Sequence, residues 1–182
     1  MNLSNHFLIA MPTLNDSFFS GCVVYLCEHS NKGAMGFVIN KASPVSMDIV
    51  FSSTGKTTPQ RFIGKDVMLG GPLHPDRGFV LHSPVQTWQN TMPITEEIAL
   101  TTSRDILEGL ANQDNESDAV LTMGYSSWEA GQLEKEIAQN TWLVANADSE
   151  IIFRLPTQER YAAAFAKLGI RPENLMGVMG HA

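Results

Sequence analysis

Residues 22–28 and 34–40 are two short runs of apolar, β-branched and aromatic residues, separated only by His29-Ser30-Asn31-Lys32-Gly33. Two such runs so close together close most readily as an antiparallel hairpin. Residues 6–11 supply a strand pattern before them, and residues 66–70 and 78–82 supply two more. These last two are joined by Gly71-Pro72-Leu73-His74-Pro75-Asp76-Arg77, in which two prolines fix φ and remove N–H donors. That connection reads as rigid and as a poor phosphate cradle. After residue 96 the order changes, and strand patterns at 97–101, 118–124, 142–145 and 150–153 alternate with helical spacing. A short helical pattern at 46–53, a helix capped by Thr102 with Asp105, and a last main helix capped by Thr157 and ending at Gly169 complete the map. Hairpins early and strand–helix units late predict an α+β domain, single and compact. Its sheet is expected to be mixed, largely antiparallel and barrel-like, packed with helices. The chain's 182 residues suffice for one core without staples.

The segment 124–134, Gly-Tyr-Ser-Ser-Trp-Glu-Ala-Gly-Gln-Leu-Glu, draws attention as a site. It follows the apolar run 119–123 and reads as a strand-turn-helix joint. Ser126 and Glu129 have the S-x-x-E spacing of a capping box, and Ala130, Leu133 and Ile137 form the inward stripe of the helix that would follow. A helix start offers free backbone N–H groups to an anion. Ser126 also stands where a nucleophile elbow places its serine, but the closing position is Trp128 instead of Gly, so the N-cap role is preferred. The candidate surface for a ligand or partner is therefore Tyr125, Ser126, Ser127, Trp128 and Gln132, with Arg77 and His82 grouped beside them.

Cys22 and Cys27 are the two cysteines. An odd separation along one strand puts them on opposite faces, too far apart for a disulfide or a shared metal. Reduced thiols fit a cytoplasmic setting. Cys27 and His29 lie two apart and would face the same way on an uninterrupted strand, which permits a thiol–imidazole pair; the competing role is a buried structural cysteine beside a turn histidine. The five histidines are isolated in sequence and offer no metal-ligand spacing. H-E-x-x-H, P-loop and C-x-x-C patterns are absent, and Gly33-Ala34-Met35-Gly36 leads into a strand, which is the wrong context for a dinucleotide fingerprint. No catalytic residue, cofactor or metal is expected.

Hydrophobic residues make up 43% and charged residues 17%, a composition that argues for an ordered globular chain. Net charge is −7, split as +1 over residues 1–91 (six Lys/Arg, five Asp/Glu) and −8 over 92–182 (six Lys/Arg, fourteen Asp/Glu). The basic residues are scattered, so direct nucleic-acid binding is not expected. No apolar run approaches the ~20 residues that span a bilayer, and the first residues lack a signal-peptide pattern. The apolar, glycine-rich tail 175–182 is expected to pack on the domain.

Many segments, in order along nearly the whole chain, resemble the YqgE/AlgH family of bacterial proteins. They include His6-Phe-Leu-Ile-Ala-Met-Pro12, Val23-Val-Tyr-Leu-Cys-Glu-His29, Gly33-Ala-Met-Gly-Phe-Val-Ile-Asn-Lys41, Leu69-Gly-Gly-Pro72 and Asp76-Arg-Gly-Phe-Val-Leu-His82. Leu100-Thr-Thr-Ser103, Gly124-Tyr125, Trp128, Ala130-Gly-Gln-Leu-Glu134, Trp142-Leu143 and Gly180-His-Ala182 continue the match. Where many members carry Ala-Gly before the tryptophan and Gly after it, this chain has Ser126-Ser127 and Glu129. The resemblance implies a single α+β domain, a cytoplasmic location and no established catalytic residue or cofactor. One branch is named as a regulator of exopolysaccharide (alginate) production. The expectation for this chain is a non-enzymatic accessory or regulatory protein that binds a protein partner or a small anionic ligand. The alternative is an enzyme using Cys27 and His29, or an anion site at the Ser126–Trp128 helix start.

Overall fold

The computed structural model describes residues 1–179, with side chains through residue 175. The packing expected of the tail 175–182 therefore lies outside the described residues, apart from the backbone of its first turn. The chain begins with three consecutive antiparallel strands, β1 (His6–Ala10), β2 (Val23–Ser30) and β3 (Gly33–Val38). Their residues are apolar at almost every position because both faces are covered. Phe7, Ile9, Tyr25 and Phe37 enter one core cluster, while Leu8, Val24, Leu26 and Val38 enter another on the opposite face. A continuous apolar run thus records a strand buried on two sides.

Next come β4 (Ala42–Ser46) and α1 (Met47–Ser53), whose start is set by Ser46, its Oγ accepting from Ile49 N at 3.2 Å. A 3-10 turn (Gln60–Phe62) leads into β5 (Asp66–Leu69), followed by β6 (Leu73–Ser83), β7 (Thr91–Pro93) and β8 (Ala99–Thr101). Then follow α2 (Asp105–Ala111), β9 (Asp118–Glu129), α3 (Gln132–Ala138) and β10 (Trp142–Asn146). The chain continues with α4 (Ser149–Phe153), a 3-10 turn (Thr157–Glu159), α5 (Arg160–Ala166) and α6 (Pro172–Met179). The strands form one sheet in the order β10-β1-β2-β3-β9-β6-β8-β7, with β5 beside β9 and β4 beside β5. Among the described residues, β5 and β9 are the one strand pair that runs parallel. The sheet curls into a half-barrel within a single compact α+β domain, as expected from the mixed order of patterns. α4 and α5 cover one face through Ile151, Phe153, Ala164 and Phe165, whereas α1 and α2 cover part of the other through Phe51, Ile106 and Leu110.

Four local expectations are corrected. Residues 126–129 are strand, not the first turn of a helix: β9 runs on through Glu129 and pairs with β3 at Ser126↔Gly36 and Trp128↔Ala34. The capping spacing of Ser126 and Glu129 is outweighed by that ladder, and α3 starts only at Gln132, after Gly131 at φ 78°. Residues 150–153 are helical, since Asp148 Oδ1 accepts from Glu150 N at 2.9 Å and caps a turn whose Ile151, Ile152 and Phe153 are all buried. A short apolar run carries no period that separates strand from buried helix. α2 begins at Asp105 without a side-chain cap, and the Asp105 carboxylate instead accepts from Ser103 Oγ and from Gln89 N. Thr157 opens a 3-10 turn after Pro156 and makes no capping bond.

The connection before residue 78 also differs from expectation. β6 already begins at Leu73, paired with Tyr125, and resumes at Gly78, paired with Met123. Residues 74–77 are extra on that side and bulge from the ladder.

Candidate functional site

The core of the site is a crossing of two tight segments. Gly124 has φ 79°, a conformation open to glycine, and a Cβ on it would lie 2.5 Å from Gly71 O. A Cβ on Gly71 would lie 2.0 Å from the Tyr125 carbonyl, so neither backbone can carry a side chain here. The kink also reverses the inside–outside alternation of β9: Met123 packs against the cluster under α1 and α2, while Tyr125, two residues on, packs against the opposite cluster.

Ser126 is fully buried, and its Oγ donates to Gly70 O at 3.1 Å. The same carbonyl accepts from Val38 N at 2.8 Å, so Ser126 serves as a cross-link between segments with no base within hydrogen-bond reach. Ser127 is exposed opposite Met35. Trp128 is buried against Phe19 and Trp142, and its indole N–H donates to Glu136 Oε1 at 3.2 Å. The Trp142 indole donates to the same oxygen at 2.9 Å, and Gln132 Nε2 donates to Glu136 Oε2 at 2.9 Å. Gln132 Oε1 in turn accepts from Glu129 N at 2.9 Å. Trp128 and Gln132 are thus engaged in fixing α3 to the sheet. Glu136 was not singled out in the sequence; its four-residue spacing from Gln132 was the available signal.

Arg77 and Tyr125 are linked through Phe79. The His74 ring stacks on Tyr125, with centroids 5.7 Å apart and planes 11° apart, and Phe79 meets Tyr125 edge-on at 5.7 Å. The Arg77 guanidinium lies 5.6 Å from the Phe79 centroid. His74 holds φ 45°, uncommon for a residue with a Cβ, so the bulge is held in a strained shape. His74 is the further member that sequence reasoning missed.

His82 does not belong to this group. It is buried near the other end of β6, where Nδ1 donates to Pro84 O at 3.2 Å and Nε2 accepts from Thr101 Oγ1 at 2.7 Å. Burial holds its pKa below the usual histidine range.

Cys27 and His29 are parted by a bulge in β2. The register passes from Leu26↔Gly36 to Glu28↔Met35, which leaves Cys27 as the extra residue and turns His29 to the opposite face. The expectation that the two face the same way is therefore overturned. Burial drives the Cys27 thiol far above the normal range, as it also pushes Cys22 up to about 11. His29 is a buried clamp: Leu3 N donates to Nδ1 at 2.9 Å, His29 N donates to Ser4 Oγ at 3.0 Å, and Nε2 donates to the Glu134 carboxylate. Among the described residues no group of three or more His, Cys, Asp or Glu could hold a metal ion, and no helix is long and apolar enough to cross a membrane.

The chain is thus a one-domain α+β protein whose curled sheet is locked by a glycine crossing and a tryptophan–glutamate cluster. The chain belongs to the AlgH-like family, whose model (DUF179) matches residues 7–173. It is 52% identical over 182 residues to a UPF0301 protein of Neisseria meningitidis serogroup C, covering 100% of both chains. It is 46% identical to a UPF0301 protein of Laribacter hongkongensis, covering 99% of this chain and 97% of the relative. Among solved structures it is similar to the AlgH protein from Pseudomonas aeruginosa, at 40% identity and TM-score 0.75, covering 97% of this chain and 94% of that one. A protein from Corynebacterium diphtheriae, DIP2367, shares the fold at 19% identity and TM-score 0.70, over 88% of this chain and 84% of its own.

Proposed function

We propose that this chain is a non-enzymatic accessory protein of regulatory type, acting in the cytoplasm by binding a protein partner through the ribbon around His74, Arg77 and Tyr125. The observation that carries the reading is the four-residue bulge in β6, exposed from His74 to Arg77 and backed by the stacked Tyr125 ring. An aromatic platform with an arginine beside it is a composition enriched at protein interfaces. The reactive groups elsewhere are engaged internally, Ser126 with Gly70 O and His29 with Glu134. The scattered Lys and Arg residues favour a protein contact over a phosphate backbone.

The test is in-cell crosslinking followed by affinity capture of the full chain, compared with Arg77→Glu and Tyr125→Ala variants of matched thermal stability. A discrete partner retained by the parent and lost by both variants supports the reading. Equal recovery by all three contradicts it.

A further inference from the structure

Arg160 is a buried cation that pairs with no carboxylate among the described residues. Only 5% of it is exposed, Nε donates to Leu155 O at 3.0 Å, and Nη1 donates to Ile39 O. Both acceptors are neutral carbonyls, and none of the ion pairs among the described residues includes it. A guanidinium has five N–H donors, so these two bonds leave others unspent. Taking such a charge out of water without a counter-charge is costly, which is why buried arginines are normally paired. Here burial alone lowers the group's pKa to about 10.

The residue lines a cleft of about 550 Å³, a size suited to a small molecule. Met47, Phe62, Met68 and Phe153 give the cleft an apolar wall, and Lys65, Asp66 and Arg154 stand among its charged lining groups. Arg154 is paired outside the lining set with Asp118, at 3.3 Å. With Arg154 offset by Asp118 and Asp66 standing near Lys65, the cleft keeps the Arg160 charge uncompensated, in a chain whose net charge is −7. A local reversal of sign in a concave, partly apolar space is the electrostatic setting for an anion.

We propose that this cleft binds a small organic anion, its carboxylate or phosphate held by the Arg160 guanidinium and its apolar body laid against Phe62, Met68 and Phe153. The planar fork of arginine recognises both oxyanions, and the apolar wall selects against small inorganic ions. The site stands apart from the partner-binding ribbon, and neither reading depends on the other. Anion binding, expected from the sequence at a helix start near Ser126, is assigned instead to the opposite end of β9, where Ala119–Leu121 line the cleft with β5 and the segment from α4 to α5.

The experiment is a titration of the full chain, followed by amide NMR and thermal unfolding. The probes are benzoate, hexanoate, phenyl phosphate and inorganic phosphate, with benzamide and hexanamide as uncharged controls. At least one organic anion is expected to give saturable shifts at Ile39, Leu155 and Arg160. At a hundredfold excess over its Kd it should raise Tm by roughly 5–10 °C, while the amides do neither. The carboxylate and phosphate arms identify the preferred headgroup. Arg160→Gln is expected to weaken binding at least tenfold. Gln158→Trp, which fills the cleft from an exposed position and spares Arg160, keeps the test sharp should the first variant fold poorly, and is expected to weaken binding similarly. Arg77→Glu should bind the probes as the parent does. Absence of saturable shifts with every anion, equal binding of the amides, or binding unaffected by both cleft variants would overturn the proposal.

Discussion

Glu136 gathers three donors on one carboxylate, the indole N–H groups of Trp128 and Trp142 and the side-chain amide of Gln132. Removing it leaves two largely buried indoles without an acceptor, and an unsatisfied buried donor costs more than a hydrogen bond nets. Glu136→Ala is therefore expected to lose about 2–4 kcal/mol of unfolding free energy in urea titrations, with a shifted tryptophan emission. Glu136→Gln retains one carbonyl acceptor and should lose only about 1 kcal/mol. The thiols yield a second prediction at this scale. Burial raises the folded-state pKa of Cys22 to about 11 and that of Cys27 higher still. A raised thiol pKa favours the neutral form in the folded state. Its stabilising contribution is complete below the unfolded value and, for Cys22, is lost as pH climbs from about 9 to about 11. Iodoacetamide at pH 8 should leave both cysteines unmodified in the native protein and alkylate both in guanidinium. Rapid labelling of native Cys27 would contradict the buried geometry. The sequence showed the pairing possibility of Cys27 and His29 but not the bulge that separates them, because a bulge follows from the register of the partner strand.

Among the elements, β9 is the one on which local signals and tertiary pairing disagree. Ser126 and Glu129 have the spacing of a helix start, yet β3 offers a ladder edge from Gly33 to Gly36, and the strand continues along it. Gly124 makes that possible by turning the strand where it leaves β5 and joins β3. Gly124→Ala forces a Cβ into a positive-φ position 2.5 Å from Gly71 O and is expected to cost about 2–4 kcal/mol, measured by denaturant unfolding. Ala at Gly131, where φ is also positive but no atom lies within 4 Å, should cost about 1 kcal/mol. The two substitutions separate steric conflict from backbone preference. α4 was legible as an apolar run but not as a helix, since five residues are too few to show a period. Asp148, its cap, was the missed cue.

For the molecule as a whole, the contacts that close the fold span long stretches of chain. His29 joins the N-terminal segment, β2 and α3 through Leu3 N and Glu134, residues 26 and 105 positions away. His29→Ala should speed amide exchange at Leu3 at least tenfold and reduce overall stability by about 2–3 kcal/mol, as read by hydrogen exchange and urea unfolding. If Leu3 exchange is unchanged, the clamp is not what orders the N-terminus. The hairpin of β2 and β3, the strand at residues 6–10, the helix after Ser46 and the α+β class were all determined by the sequence itself, because apolar pattern, turn residues and a serine cap act over a few neighbours. So was family membership, carried by motifs in order along the chain. The tertiary structure alone decided that 126–129 extend a strand, that Arg77 and Tyr125 both reach Phe79 while His82 stands apart, that Glu136 takes two indoles, and that Arg160 lines a cleft with no carboxylate paired to it among the described residues. Each of these depends on register, bulges or burial, and those are set by which distant strands and helices come together.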